Sequence, residues 1–106
     1  MNWNSVLMTN KLEITPEAER DIFAIASNIQ LQDSLASAMR VVSVLKNQFK
    51  NLAARPDSGR EGGCEGTREV VMTGLPFIAV YKTSNDLITI VRVLYGADER
   101  SLNKRE

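Results

Sequence analysis

The sequence has no histidine, a single cysteine (Cys64) and no net charge. Without histidine, the chain lacks the commonest metal ligand and the usual proton shuttle near neutral pH. One thiol can form neither a disulfide within the chain nor a zinc site built on paired thiolates. Because basic and acidic residues cancel, bulk charge gives no attraction to nucleic acid or anionic lipid. We therefore expect no metal, no cofactor and a reducing, cytoplasmic location.

Long apolar runs are also missing. The opening segment "MNWNSVLMTNKLEI" lacks a basic lead followed by an apolar core, so we expect neither a signal peptide nor a membrane span. A length of 106 residues with 43% apolar composition is typical of a single domain. We expect residues 1–9 to be an irregular extension and residues 97–106 a polar tail, and the sequence leaves Met1 and Met8 open as the start.

Local signals in the N-terminal half predict a strand followed by a helical hairpin. Thr15 is a favourable N-cap, and Pro16 suits the first position of a helix. Apolar residues three and four apart then mark one face of each of two helices, which predicts an antiparallel pair. We place these elements at Lys11–Ile14, at Pro16 to about Gln30, and from a cap at Asp33 or Ser34 to Pro56.

The C-terminal half changes to the two-residue alternation of strands. "TREVVMT", "PFIAVYK" and "LITIVRVLY" are separated by turn residues, which predicts an antiparallel three-stranded meander packed on the hairpin, an α+β fold. The last strand is apolar on both faces, so both need cover. The second face is either a minor core under the chain ends or a docking surface. The predicted faces are Leu87, Val91 and Val93 on one side, and Ile88, Ile90 and Leu94 on the other.

The glycine-rich segment "SGREGGCEGTREV" leaves a helix and enters a strand, whereas phosphate-binding loops leave a strand and enter a helix. We interpret it as a connection whose glycines permit positive backbone angles. Cys64 lies among acids, which disfavour the thiolate, and we expect it to have no role in function.

Arginines near the strands are the remaining candidates. Arg68 and Arg92, expected on adjacent strands, are predicted to form an anion-facing patch for an acidic partner or a phosphate backbone. The alternative for Arg92 is an ion pair with Glu69 or another strand carboxylate. Tyr81 and Tyr95 either stack on a base or are amphipathic residues at the edge of the core.

These features in combination resemble the ParE/RelE superfamily of bacterial type II toxin–antitoxin modules, often known as plasmid stabilisation proteins. The similarity runs from Lys11 to Ala97 and starts with "ITPEAERDI". It continues through "LAARPDSGR", "GTREVV", "LPFIAVY" and "ITIVRVLYGA". The superfamily has two activities on one fold: RelE-like members cut messenger RNA on the ribosome, and ParE-like members poison DNA gyrase. Fold alone does not choose between them.

The RelE-like residues are only partly present. Arg68 matches a basic residue of those enzymes, but Ile78 stands where they often have arginine. The common His-Gly-Ala-Arg reads Tyr95-Gly96-Ala97-Asp98 here. The resemblance therefore favours a ParE-like toxin that binds DNA gyrase and has no catalytic residues. Its predicted contacts with target or antitoxin are Arg60, Arg68, Arg92, Tyr81, Tyr95 and Arg100.

Other activities and partners also follow from the resemblance. One alternative is a ribosome-dependent ribonuclease that uses Arg60, Arg68, Arg92 and Tyr95, with the ribosome and messenger RNA as partners. Another is an inactive homologue that only binds antitoxin and regulates its operon. In each case the cognate antitoxin is expected to bind through an acidic, amphipathic C-terminal segment, and operator DNA is expected to be contacted only through the antitoxin.

Overall fold

The computed structural model describes residues 11–63 and 65–96. Cys64 and Arg100 therefore lie outside the described residues. The same holds for the predicted N-terminal extension and polar tail. The elements in chain order are β1 (Lys11–Ile14), α1 (Pro16–Gln32), α2 (Leu35–Ala54), a 3₁₀ turn (Pro56–Ser58), β2 (Arg60–Glu61), β3 (Arg68–Val71), β4 (Phe77–Ser84) and β5 (Leu87–Tyr95). In this part of the chain, neither helix is long and apolar enough to cross a membrane.

The helices begin where their capping residues predict. The Thr15 hydroxyl accepts a hydrogen bond from the Ala18 amide at 3.1 Å and donates to the Val91 carbonyl at 3.0 Å, which ties the start of α1 to β5. Of the two predicted caps for α2, Ser34 is the one used, because its hydroxyl accepts from the Ser37 amide. α1 continues to Gln32, two residues beyond the predicted end.

The sheet has five strands in the order β1-β5-β4-β3-β2. β1 pairs with β5 in parallel, and the other neighbours are antiparallel, so the predicted meander of β3, β4 and β5 is confirmed. β2 was not predicted. Its residues Arg60 and Glu61 pair with Glu69 and Arg68, so the glycine-rich connection starts as a strand at the edge of the sheet.

The two helices cover one face of this sheet and form the core with it. Phe49 and Leu45 of α2 and Ile22 of α1 are buried against Tyr81 and Ile90 of the sheet. Burial of these side chains supplies most of the stabilisation, at roughly 1.5–3 kcal/mol for each large apolar side chain.

A β-bulge makes the predicted faces of β5 partly wrong. Val80 pairs with Arg92 while Tyr81 pairs with Ile90, so Val91 has no partner on β4. An extra residue moves every later side chain to the opposite face. Val93 consequently lies in the core with Ile88 and Ile90, whereas Leu94 does not. On the opposite face, Ile78 is buried as well, although it lies outside the helix-side cluster.

Candidate functional site

The predicted site residues fall into two groups on different parts of the sheet. Arg60, Arg68 and Tyr81 lie on β2, β3 and β4, and Arg92 and Tyr95 lie on β5. Because β4 separates β3 from β5, the prediction that Arg68 and Arg92 are on adjacent strands is wrong. The described residues therefore do not bring the arginines together as one patch.

The first group holds the glycine-rich connection in place. Glu69 is only 5% exposed, and its carboxylate accepts a hydrogen bond from the Gly63 amide at 3.1 Å. Its other oxygen lies 3.4 Å from Nη2 of Arg60. Arg60 is thus the partner of the buried carboxylate, while half of its side chain stays accessible.

Arg68 is engaged in a similar way. Its Nη1 donates to the Gly59 carbonyl at 2.7 Å, and its Nη2 lies 4.0 Å from the exposed carboxylate of Asp57. The side chain remains partly exposed, so the guanidinium stays accessible to a partner from the β2–β3 edge.

Tyr81 is a structural residue, and its prediction as a contact for a target or antitoxin is wrong for this conformation. Its side chain is fully buried. The hydroxyl donates to the Pro56 carbonyl at 2.8 Å and accepts from the Gly59 amide at 2.9 Å. It therefore fixes both ends of the 3₁₀ turn and cannot stack on a base.

The glycines of the connection act in two ways. Gly66 has φ +84°, as expected for a residue that permits positive backbone angles. Gly59 instead permits a close approach, since a Cβ there would lie 2.4 Å from the Tyr81 hydroxyl.

In the second group, Arg92 pairs with a helix carboxylate. Its Nε and Nη2 donate to Asp21 of α1 at 2.6 and 3.0 Å, and the Val93 amide also donates to Asp21 at 2.9 Å. The expected ion pair with Glu69 does not form, because Val80 lies between the two residues in the register. Arg92 therefore links α1 to the C-terminal part of β5, beyond the residues that pair with β1.

Tyr95 completes this second group. Its side chain is 42% exposed and packs edge-on against Phe77, with ring centroids 5.1 Å apart. Tyr95, Arg92 and Asp21 line the same cleft of about 330 Å³ between α1 and β5. This cleft places an aromatic side chain and a guanidinium side by side for a partner.

The contacts of Asp21 change its titration. Burial alone raises the pKa of its carboxyl, but the hydrogen bonds from Arg92 and Val93 and the charges of Arg92 and Arg20 outweigh burial and bring the pKa below 3.8. A carboxyl whose pKa is lower in the folded than in the unfolded protein stabilises the fold at pH values above its unfolded pKa. This stabilisation is lost as the pH falls through the folded value.

Asp21→Asn should lower the free energy of unfolding by about 1–2 kcal/mol at pH 7, since it removes the charge that binds Arg92. The difference between the parent and Asp21→Asn should shrink as the pH falls below about 4, because the Asp21 carboxyl is protonated first in the unfolded chain and, at lower pH, in the folded parent. Urea unfolding from pH 7 to pH 3 measures this. A difference that stays constant over that range contradicts the assignment, and Asp86→Asn, at an exposed position in the β4–β5 turn, is the matched control.

Sequence reasoning missed a groove of about 490 Å³ between the C-terminal half of α2 and β3. Gln48 links its two sides: the side-chain amide donates to the Thr73 carbonyl and accepts from the Thr73 amide, both within 2.8 Å. No local pattern predicts this contact, because the two residues are 25 positions apart. The lining residues are Gln48, Asn51, Leu52, Arg55, Ser58, Val70, Val71, Met72 and Thr73.

Comparisons with known proteins agree with this architecture. The model of a family described as the ParE toxin of the type II toxin–antitoxin system parDE matches residues 12–100. The chain belongs to the ParE toxin family. It is therefore a ParE-like toxin of the ParE/RelE superfamily, as the sequence predicted.

Proteins similar to this ParE-family chain include one curated relative and two solved structures. A protein of Sinorhizobium fredii named "Putative toxin Y4kP" is 34% identical over 86 residues, which cover 81% of this chain and 88% of the relative. A structure of the chromosomal ParDE system from P. aeruginosa is 25% identical with a TM-score of 0.75, and the match covers 82% of this chain and 96% of that chain. The E. coli protein YafQ is 16% identical with a TM-score of 0.48, over 85% of this chain and 97% of that chain.

The ParE-family chain has no histidine. The buried or half-buried carboxylates of Glu69 and Asp21 both accept hydrogen bonds from backbone amides and pair with arginines. Among the described residues, no group of three or more His, Cys, Asp or Glu side chains is arranged to hold a metal ion.

Proposed function

We propose that this ParE-family toxin arrests growth by binding DNA gyrase and that a cognate antitoxin neutralises it. The observation that carries the proposal is the match to the ParE toxin model along residues 12–100. Gyrase is the target that resemblance to ParE-like toxins implies. The P. aeruginosa relative is part of a ParDE toxin–antitoxin system, and this supports an antitoxin as partner here.

The arginine geometry supports a binding role over RNA cleavage. A ribonuclease needs a proton acceptor and clustered positive charge where the transition state develops. Here Arg60 and Arg92 pair with carboxylates. Arg68 donates to the Gly59 carbonyl, and β4 separates its strand from that of Arg92. The exposed parts of Arg60, Arg68, Arg92 and Tyr95 are the proposed contacts with gyrase or the antitoxin, and Arg100 lies outside the described residues.

Induction of the toxin in growing bacteria should stop DNA synthesis before protein synthesis. Pulse labelling with thymidine and methionine after induction measures the order, and messenger RNA should stay intact throughout. Co-expression of the neighbouring antitoxin gene should restore growth and is the control for specific neutralisation.

Other orders of events contradict the proposal. Messenger RNA cut in register with codons, with protein synthesis stopping first, supports the ribosome-dependent ribonuclease. Unchanged growth, combined with tight binding to the neighbouring gene's product, supports an inactive homologue that only regulates its operon.

A further inference from the structure

Among the described residues, the edge of β3 beyond its pairing with β2 is the strongest unassigned feature. The Met72 amide donates to the Phe77 carbonyl, so Met72 and Phe77 form a hydrogen-bonded pair of the antiparallel ladder. The next pair, Val71 with Ile78, is then a non-hydrogen-bonded pair. The Val71 amide and carbonyl consequently point away from β4, into the groove between α2 and β3.

The two neighbours along this edge are β2 and the Gln48 side chain, and neither pairs with the backbone of Val71. β2 pairs with β3 only through Arg60 and Glu61. Continuing the same register would place Ser58 opposite Val71, but Ser58 belongs to the 3₁₀ turn that Tyr81 fixes. At the other end, the Gln48 side chain bonds the Thr73 backbone as a neighbouring strand would.

The groove has a definite chemical character. The Val71 side chain is 55% exposed at the edge, which is the largest apolar exposure on the sheet among the described residues. Arg55 is the one charged residue in the groove lining, and α2 contains Arg40, Lys46 and Lys50 but no acidic residue. An occupant therefore meets backbone hydrogen-bonding groups, an apolar lining in which Val71 is the most exposed side chain, and positive charge.

We propose that an extended acidic segment of the antitoxin adds a short strand to β3 at Val71 and replaces the Gln48 amide at Thr73. In an added strand, the residue opposite Val71 lies beside the Val71 side chain, and its two neighbours point toward α2. The segment thus alternates, with an apolar residue beside Val71 and an acidic residue facing Arg55. Strand addition to a free edge is a recurring mode of peptide recognition. This inference rests on the proposed function, because it takes the antitoxin as the partner.

Hydrogen exchange on the purified toxin–antitoxin complex tests the inference directly. Exchange of the Val71 amide should slow by about tenfold or more relative to the free toxin, as expected when a free edge amide becomes hydrogen-bonded. The amides of Asn85 and Asp86, in the turn at the far end of β4, are the internal control and should not change. A complex that forms with the Val71 amide unprotected overturns this inference and leaves the proposed function standing. Failure of the complex to form contradicts both.

Matched variants separate the backbone contact from the charge. Val71→Pro removes the outward amide at an edge position where proline is tolerated, and it should weaken antitoxin binding by about tenfold or more. Val71→Thr keeps that amide and should weaken antitoxin binding less than Val71→Pro does. Arg55→Glu should weaken antitoxin binding by about tenfold. Lys50→Glu makes the same change in net charge away from the groove lining and should weaken binding by about threefold or less.

Two controls keep the variant test decisive. Thermal unfolding of each variant shows whether a loss of binding comes from loss of the fold. The hydrogen-exchange test uses the parent complex and remains valid even if a variant does not fold. Gln48→Ala should bind the antitoxin at least as tightly as the parent, because nothing then has to leave Thr73. Equal losses from Arg55→Glu and Lys50→Glu, or protection of Val71 by a second copy of the toxin in place of antitoxin, overturn the inference.

Discussion

Replacement of Tyr81 by phenylalanine should lower the free energy of unfolding by about 2–3 kcal/mol, although only one oxygen atom is lost. The hydroxyl is fully buried and serves two backbone groups, the Pro56 carbonyl and the Gly59 amide. Both would be left without a partner in a site with little room for water, because even a Cβ on Gly59 would lie 2.4 Å from that hydroxyl. A buried polar group without a hydrogen bond bears most of its desolvation cost.

Urea unfolding at pH 7 measures this effect, and Tyr95→Phe is the matched control. Tyr95 is 42% exposed and should change stability by no more than about 0.5 kcal/mol. Equal effects of the two substitutions would show that the Tyr81 hydroxyl does not hold the turn. Tyr81→Phe should also loosen the β2–β3 connection, and faster amide exchange at Gly59 would report this directly.

Phe49→Ala should have the largest effect on stability, with a loss of about 3–5 kcal/mol. Phe49 is fully buried and packs α2 onto the sheet. Its removal leaves a cavity that rigid neighbours fill only in part. Because domains of this size are stable by only about 5–15 kcal/mol, a substantial fraction of Phe49→Ala molecules should be unfolded on mild heating.

Phe23→Ala is the control for this loss, since Phe23 lies on α1 with 74% of its surface exposed. It should change stability by no more than about 0.5 kcal/mol. Thermal and urea unfolding of both variants decide the matter. A loss from Phe23→Ala comparable to that from Phe49→Ala would contradict the described packing of the hairpin.

Local sequence signals predicted most of the fold. Thr15 and Ser34 cap the two helices by accepting hydrogen bonds from backbone amides three residues later. Contacts between residues so close in the chain can be recognised in the sequence. Two-residue alternation likewise placed β3, β4 and β5. The bulge at Val91 escaped prediction because it is a property of the pairing with β4, and β2 escaped because two residues carry no periodicity.

The site was predicted less well, because its contacts join distant parts of the chain. Arg92 was correctly predicted to have a structural ion pair as one option, but its partner Asp21 is 71 residues away on a helix. Tyr81 was predicted either to stack on a base or to lie at the edge of the core, and nothing local shows that its hydroxyl bonds to both ends of the 3₁₀ turn. The free edge at Val71 depends on where β2 ends and on Gln48, and both follow from the tertiary fold.

We propose that this ParE-family chain acts by binding gyrase and does not cut RNA. Supercoiling of relaxed plasmid by purified gyrase, measured with increasing amounts of purified toxin, tests it most directly, with programmed ribosomes and messenger RNA assayed in parallel. We predict that supercoiling is inhibited, that equimolar antitoxin restores it, and that the messenger RNA stays intact. Normal supercoiling together with cleavage of the ribosome-bound messenger RNA would contradict the proposed function.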